Sequence, residues 1–376
     1  MIYLDYSANT PVDEAVLERF CAVERSCPGN ANSRHQAGAA AKAAIDEATQ
    51  SIARSLNVQP AEIIYTSGAS EANNFALKSI ARLERHHGKH IISTPLEHSS
   101  VSGTLTALQE QGYEIDLVDI KQDGTVDLAH LRELLRPDTI LAAVTAVDSE
   151  LGVVQPVTEI AALLKDYPHC HLHVDATQAV GKLPLPSFEG IDTLSLTAHK
   201  FYGLNGIGVL VKRRGLALEP LIHGGESTTI YRSGTPTVAL ASSLACALDL
   251  AVTDLPGRVD HVAKLNAELR AALSTYPLVR INSPEHAIPH VLNLSVRNVK
   301  GTVFQRELDA KGVCVSVKSA CSSDGLPSRA VFAVSRDRRN ALSSWRISLS
   351  HLTTEDEIKA FLQAFDVCYR ELTAVH

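Results

Sequence analysis

Apolar positions along the chain alternate between two periods. Short runs of four to eight, bounded by turn residues, read as buried strands at 2–5, 62–66, 90–93, 114–118, 139–147 and 171–174. Between them lie stretches of helical period at 13–25, 38–56, 71–85, through Leu108, 128–135 and 157–165; in 38–56, Ala40, Ala44, Ala48, Ile52 and Leu56 make one stripe. Strand–helix alternation predicts an α/β fold with a mostly parallel sheet flanked by helices. After this region, 206–212 and a segment around Leu221 read as antiparallel edge pieces, and 242–252 as a helix. Beyond Leu255 the texture changes. Helices are expected at 258–276, 303–311 and 354–372, with Thr354 and Glu357 forming a capping box. Strands are expected at 291–296, 313–317 and 345–349. The expected organisation is a large α/β domain over 13–252 and a small α+β domain built from 1–12 and 253–376.

Chemistry-bearing residues sit just past the predicted strand ends, where open α/β sheets place their ligands. Asp175 closes the strand LHVD, and Lys200 follows a second strand in the order Ser-Leu-Thr-Ala-His-Lys. A pyridine-aldehyde cofactor needs this pair: an amine to form the imine and a carboxylate to keep the ring nitrogen protonated. The turn Ser67-Gly68-Ala69-Ser70 between a strand and a helix offers a phosphate cradle, or an ordinary N-cap by Ser70.

Composition narrows the classes. The chain has 376 residues, 45% hydrophobic and 20% charged, with a formal net charge of −7, which argues against a nucleic-acid-binding surface. No stretch reaches the roughly 18 uncharged apolar residues of a membrane span, and the N-terminus lacks signal-peptide character, so a cytoplasmic location is expected. Seven cysteines form no CxxC pair, as expected for reduced thiols, and sixteen histidines show no HExxH or comparable spacing, so no metal is expected.

Ten segments in order, among them YLDYSANTPVD, GNANSRH, YTSGASEANNFALK, EHSSV, HVDATQAVGK, SLTAHKFYG, YRSGT, SVKSACSS and WRISLS, resemble the cysteine desulfurases. These belong to the class V aminotransferase group of fold-type I pyridoxal-phosphate enzymes, and the likeness is closest to the NifS/IscS-like branch that serves iron–sulfur and tRNA thiolation pathways. The resemblance implies L-cysteine as substrate, pyridoxal 5′-phosphate as cofactor, and L-alanine and an enzyme persulfide as products. It implies that Lys200 carries the cofactor and moves the Cα proton, that His98 stacks on the ring and handles protons, and that Asp175 and Gln178 address the ring nitrogen and hydroxyl. Ala69, Ser70, Thr197 and His199 match phosphate contacts. Thr235 matches one donated by a neighbouring subunit, which implies a homodimer. Arg346 matches the substrate-carboxylate anchor.

Cys321 matches the nucleophile that takes the sulfur and passes it to an acceptor protein, a sulfurtransferase or an iron–sulfur scaffold; its Ser, Asp, Gly and Pro surroundings read as a flexible loop, whereas Cys314 reads as structural. The sequence departs from the family pattern in several places, among them a slightly shorter loop after Cys321. Ser149 replaces an Asn that would help hold the substrate, Lys318 replaces a Gly and bears on thiolate formation, and the 226–231 segment lacks the usual run before YRSGT. The short C-terminus tilts the expected acceptor toward a sulfurtransferase. The alternatives are a selenocysteine lyase or another carbon–sulfur lyase, and a non-catalytic protein that keeps the fold.

Overall fold

A computed structural model describes residues 1–184, 188–225, 227, 229–318 and 326–374. The chain opens with β1 (Ile2–Tyr3), α1 (Glu14–Ser26) and α2 (Gln36–Leu56). Then come β2 (Ile63–Thr66), α3 (Ala69–Glu84), β3 (His90–Ser93), α4 (Ser99–Gln109), β4 (Glu114–Leu117), α5 (Leu128–Leu134), β5 (Thr139–Thr145), α6 (Val157–Leu164), β6 (His171–Asp175), β7 (Thr193–Thr197) and β8 (Gly208–Lys212). The rest is α7 (Val238–Thr253), α8 (Leu255–Leu273), β9 (Val279–Ile281), β10 (Val291–Val296), α9 (Gly301–Asp309), β11 (Val313–Cys314), α10 (Arg329–Ser335), α11 (Arg338–Ser343), β12 (Ser344–Ser348) and α12 (Glu355–Thr373).

Seven strands form the main sheet in the order β2-β8-β7-β6-β5-β3-β4. Neighbours from β4 to β7 pair in parallel, whereas β8 is antiparallel to both β7 and β2. The expected mostly parallel, helix-flanked sheet is therefore present. It buries an apolar layer on each face: Ile92, Val144, Leu172, Leu194 and Val209 on one, and Ile91, Ile140, Leu141 and Leu210 with α3 and α4 on the other. Two expectations fail. The 206–212 strand is an interior strand, because both of its edges are paired. Leu221 lies in a bend, not a strand; its side chain is partly exposed and its segment finds no sheet edge.

A second apolar core forms around the sheet β12-β10-β9. β1 pairs with β11, so the first residues of the chain join this C-terminal half. The strand expected over 313–317 shortens to Val313–Cys314, with Ser316 making an isolated bridge to Arg346. Not every residue after 253 belongs to this core: Ala330, Val331, Ala333 and Ala341 pack with the main sheet. The capping box of α12 is present, and Thr354 accepts from the Glu357 amide at 3.2 Å.

Aromatic rings fill the second core. Phe365 is fully buried, with Tyr276, Phe304, Phe361, Trp345 and Tyr369 ring centroids 5.0–6.2 Å away. Phe365→Ala is expected to cost about 3–5 kcal/mol through lost transfer energy and an unfilled cavity. A urea titration should show a lowered midpoint; an unchanged one would mean that the ring is not part of the core's support.

Among the described residues, no single helix is long and apolar enough to cross a membrane.

Candidate active site

The parallel strands deliver their C-terminal ends to one cleft of about 340 Å³. Thr145 ends β5, Asp175 ends β6, and Thr197 ends β7 just before the turn that carries His199 and Lys200. Ser7 and Ala8 close one wall, and Arg346 comes in from β12. Ala69, Ser70, His98, Ser149, Asp175, Gln178, Thr197, His199, Lys200 and Arg346 all line this cleft, so the fold gathers nearly every candidate read from the sequence.

Two candidates are not gathered. Thr235 lines a separate cavity of about 80 Å³ with Arg232 and Gly234, which meets the first only at Ser67. Cys321 lies outside the described residues. The described chain on either side of it is anchored at the cleft. Ser316 and Arg346 exchange backbone hydrogen bonds of 3.2 and 2.6 Å, and the Ser328 hydroxyl donates to Glu150, next to Ser149, at 2.5 Å. Lys318 donates to the Leu326 carbonyl at 3.0 Å.

At the start of α3, Gly68 is the N-cap and no side chain caps the helix. The N-cap reading for Ser70 is thus corrected: Ser70 lies within the first turn. Gly68 has φ +153°, and a Cβ there would meet Thr197 Oγ1 at 3.4 Å. A helix N-terminus without a capping side chain, facing a cleft, presents free N–H groups and the positive end of the helix dipole.

Asp175 is buried and held by two neutral donors: Asn73 Nδ2 to Oδ2 at 2.8 Å and the Thr177 amide to Oδ1 at 3.0 Å. A buried carboxylate held by neutral donors is suited to a cationic partner. Asn73 is itself oriented, since its Oδ1 accepts from Ser195 Oγ at 2.5 Å and pairs with His173 Nε2 at 2.9 Å. Lys200 Nζ donates to the carbonyls of Ser7 (2.8 Å) and Ala8 (2.6 Å). Gln178 also donates to Ser7 O, at 2.9 Å, and its Oε1 accepts from the buried Lys182 at 2.9 Å. Burial, with Lys200 and Arg346 nearby, pulls the Lys182 ammonium down to about 7.

His98 caps α4, accepting at Nδ1 from the Ser100 amide at 3.2 Å. The amide can only donate, so a neutral ring carries its proton on Nε2. Burial lowers the His98 pKa and favours that neutral form. His199 shares a 3.1 Å contact with Thr197 Oγ1, and burial with Lys200 beside it pulls its pKa down to about 4.

Arg346 is 1% exposed. Its guanidinium donates to Asp5 Oδ1 at 2.9 Å and to the Ser149 carbonyl at 2.7 Å, while Nε is buried without a hydrogen-bond partner. Asp5, Asn73 and Lys182 were not singled out from the sequence. All three lie within the quoted motifs, but a buried polar residue inside an apolar element carries no periodic signal of its own.

Glu97, next to His98, is fully buried. Its Oε1 accepts from Thr94 Oγ1 (2.7 Å) and the Thr145 amide (2.9 Å), and Oε2 has no partner. Burial pushes its pKa from 4.5 up to about 8 despite those bonds. A carboxyl whose folded pKa is raised keeps its proton in the folded state while the unfolded chain loses it, so stability falls as pH rises between those values. Glu97→Gln removes this loss. The melting temperature of the variant relative to the parent should rise as pH increases from about 5 to 8; a difference independent of pH would refute the assignment.

The donor set fits pyridoxal phosphate: an amine at Lys200, a buried carboxylate held by neutral donors at Asp175, and an uncapped helix start for the phosphate. Comparison with known proteins agrees. The family model described as aminotransferase class-V matches residues 2–361. A protein of Proteus mirabilis named cysteine desulfurase IscS is 40% identical over 365 residues, covering 95% of this chain and 90% of that one. One of Dictyoglomus turgidum with the same name is 34% identical over 378 residues, covering 100% and 96%. Among solved structures, a NifS-like protein superposes with a TM-score of 0.91 at 34% identity, covering 97% of this chain and 98% of its own. This chain belongs to the aminotransferase class-V family and, within it, to the cysteine desulfurases.

Proposed function

We propose that the chain, with pyridoxal phosphate in the Lys200 cleft, removes sulfur from L-cysteine, releases L-alanine and holds the sulfur as a persulfide on Cys321. The observation that carries this is the single cleft uniting Lys200, Asp175, the uncapped start of α3 and Arg346. When bound, the cofactor supplies an electron-withdrawing ring that makes the Cα–H bond of the substrate acidic.

The chain's own residues do the rest. Ala69 and Ser70 at the start of α3, with Thr197 and His199, hold the phosphate. Asp175, fixed by Asn73, keeps the ring nitrogen protonated. Gln178 offers its amide N–H to the ring hydroxyl, because Lys182 occupies its oxygen. Lys182 is thus a positioning residue. Lys200 holds the cofactor and then carries the proton from Cα. Neutral His98 packs against the ring with Nε2–H available as a proton donor. Arg346, braced by Asp5, binds the substrate carboxylate beside Ser149.

Cys321 is five residues beyond Ser316, a reach of at most about 18 Å from a point bonded to Arg346. Its thiolate attacks the substrate sulfur. The Cβ–S bond breaks, its electron pair stays with the alanine fragment, and the sulfur leaves on Cys321. A thiol of an acceptor protein then takes that outer sulfur. Thr235, absent from its own chain's cleft, fits a contact to the cofactor of a second copy, so the active unit is a homodimer. The division into 13–252 and 1–12 with 253–376 places the cofactor groups in the larger domain and Arg346 and Cys321 in the smaller.

Arg346→Lys tests the substrate anchor. An ammonium cannot hold Asp5 and the Ser149 carbonyl while gripping a carboxylate with two parallel bonds. In steady-state alanine release by the loaded enzyme, KM for cysteine is expected to rise ~100-fold, with a smaller change in kcat. An unchanged KM would place the carboxylate elsewhere. No alanine from the loaded parent chain would refute the function itself.

A further inference from the structure

The fold assembles a second cluster at the opposite end of the main sheet. Glu84 is the last residue of α3, His86 and His87 follow it, and His169 precedes β6. His171 opens β6 and Asp175 closes it four residues on, so the cluster stands about 13 Å or more from the cofactor cleft. Ligand atoms of Glu84, His87 and His169 all lie within 4.8 Å of one another, the one such trio of metal-ligating side chains among the described residues. Histidine spacing along the chain does not reveal it, because the histidines come from connections some 80 residues apart.

We propose that Glu84, His87 and His169 form a site for a divalent transition-metal ion, best matched by zinc, that ties the end of α3 to the start of β6. Two imidazoles and a carboxylate are a borderline ligand set that suits zinc and its neighbours and leaves a fourth position for water. Zinc bonds of about 2.0–2.2 Å in a tetrahedron put ligand atoms roughly 3.3 Å apart. The cluster brackets that spacing. Glu84 Oε2 and His87 Nδ1 are 2.7 Å apart, the proton-shared distance that metal would replace, and the wider separations stay below 4.8 Å. The rings of His87 and His169 are stacked, 3.5 Å between centroids, which brings their nitrogens close but leaves their in-plane lone pairs nearly parallel. Binding therefore calls for one of the two rings to turn out of the stack toward the ion.

A supporting layer is present as well. His171 Nε2 stands 3.6 Å from the other Glu84 oxygen, and its Nδ1 is 3.3 Å from Asp192. Such a chain orients a ligating carboxylate from behind. His86 packs against His87, with 3.9 Å between ring centroids. Glu84 is only one-fifth exposed and His87 one-third, so the ion would be partly sheltered while reachable from solvent.

The test is a zinc titration by calorimetry of the chelator-washed, pyridoxal-phosphate-loaded chain beside its His87→Ala and Glu84→Gln variants. The cysteines are the same in all three, so thiol binding cancels. The parent should bind one zinc at a site that each variant weakens by at least ~10-fold. Zinc should raise the melting temperature of the parent and not of the variants. Without zinc, both variants should release alanine from cysteine at the parent rate, which separates this site from the catalytic cleft. Glu84→Gln preserves side-chain shape, so its behaviour stands even if His87→Ala were poorly folded. Equal zinc affinity and stoichiometry in parent and Glu84→Gln, or no uptake by the parent at millimolar zinc, would overturn the proposal.

Discussion

Lys200→Ala is expected to reduce alanine release from cysteine by at least ~10³-fold while leaving the fold intact. The size follows from the double role proposed for the amine: it holds the cofactor and moves the substrate's Cα proton. The structural cost is small by comparison. The side chain donates to two carbonyls, Ser7 O and Ala8 O, and Gln178 still serves the first of these in the variant. Circular dichroism and the melting temperature should therefore stay close to those of the parent. A variant that kept a tenth of the activity would show that Lys200 is a wall of the cleft and not its base.

Cys321→Ser should abolish persulfide formation and sulfur transfer and cut alanine release by ~10²–10³-fold. A serine hydroxyl is not ionised near neutral pH and is a poor nucleophile toward sulfur, whereas a thiol is partly thiolate there. The argument for Cys321 over the other cysteines is one of position. The described thiols at Cys21, Cys27, Cys170, Cys246, Cys314 and Cys368 are free, but none lines the Lys200 cleft. Burial holds Cys170 up to about 12, and raises Cys314 and Cys368 too, which keeps them as inert thiols. The segment with Cys321, by contrast, springs from Ser316 beside Arg346 and returns at Ser328 beside Glu150. Lys318, one of the departures from the family pattern, is three residues before Cys321 in the sequence. Its ammonium is held by the Leu326 carbonyl in this structure. Full alanine release and persulfide yield in Cys321→Ser would move the nucleophile elsewhere.

Asp175 and Lys200 were legible because each follows a short apolar run, and strand ends in α/β sheets face the ligand. Partners in the sheet were less legible. The β8 run reads as a strand from its own residues, but nothing in its period says that it slots between β7 and β2. The short helices α10 and α11 were missed because seven and six residues hold too few periods to show a face. The supposed cap at Ser70 failed for a physical reason: an uncapped Gly68 leaves the helix start open, as anion binding requires. Lys182 was hidden because a lysine four residues from a glutamine reads as an ordinary surface pair, and Asn73 and Asp5 because their partners, Asp175 and Arg346, are distant in sequence. The Glu84–His87–His169 group was hidden for the same reason, and the spacing of the histidines argued against any metal. Thr235 was legible only by resemblance, and its place in a separate cavity gives it no role within its own chain's cleft.

The central claim is that this cleft hands the sulfur of cysteine to Cys321, and peptide mass mapping tests it most directly. The loaded chain is incubated with cysteine, its free thiols are trapped, and the digest is weighed. The expected result is a gain of about 32 Da, one sulfur atom, on the peptide that contains Cys321, and no gain in Lys200→Ala. Alanine production with no added sulfur on that peptide, or the same addition on another cysteine, would contradict it.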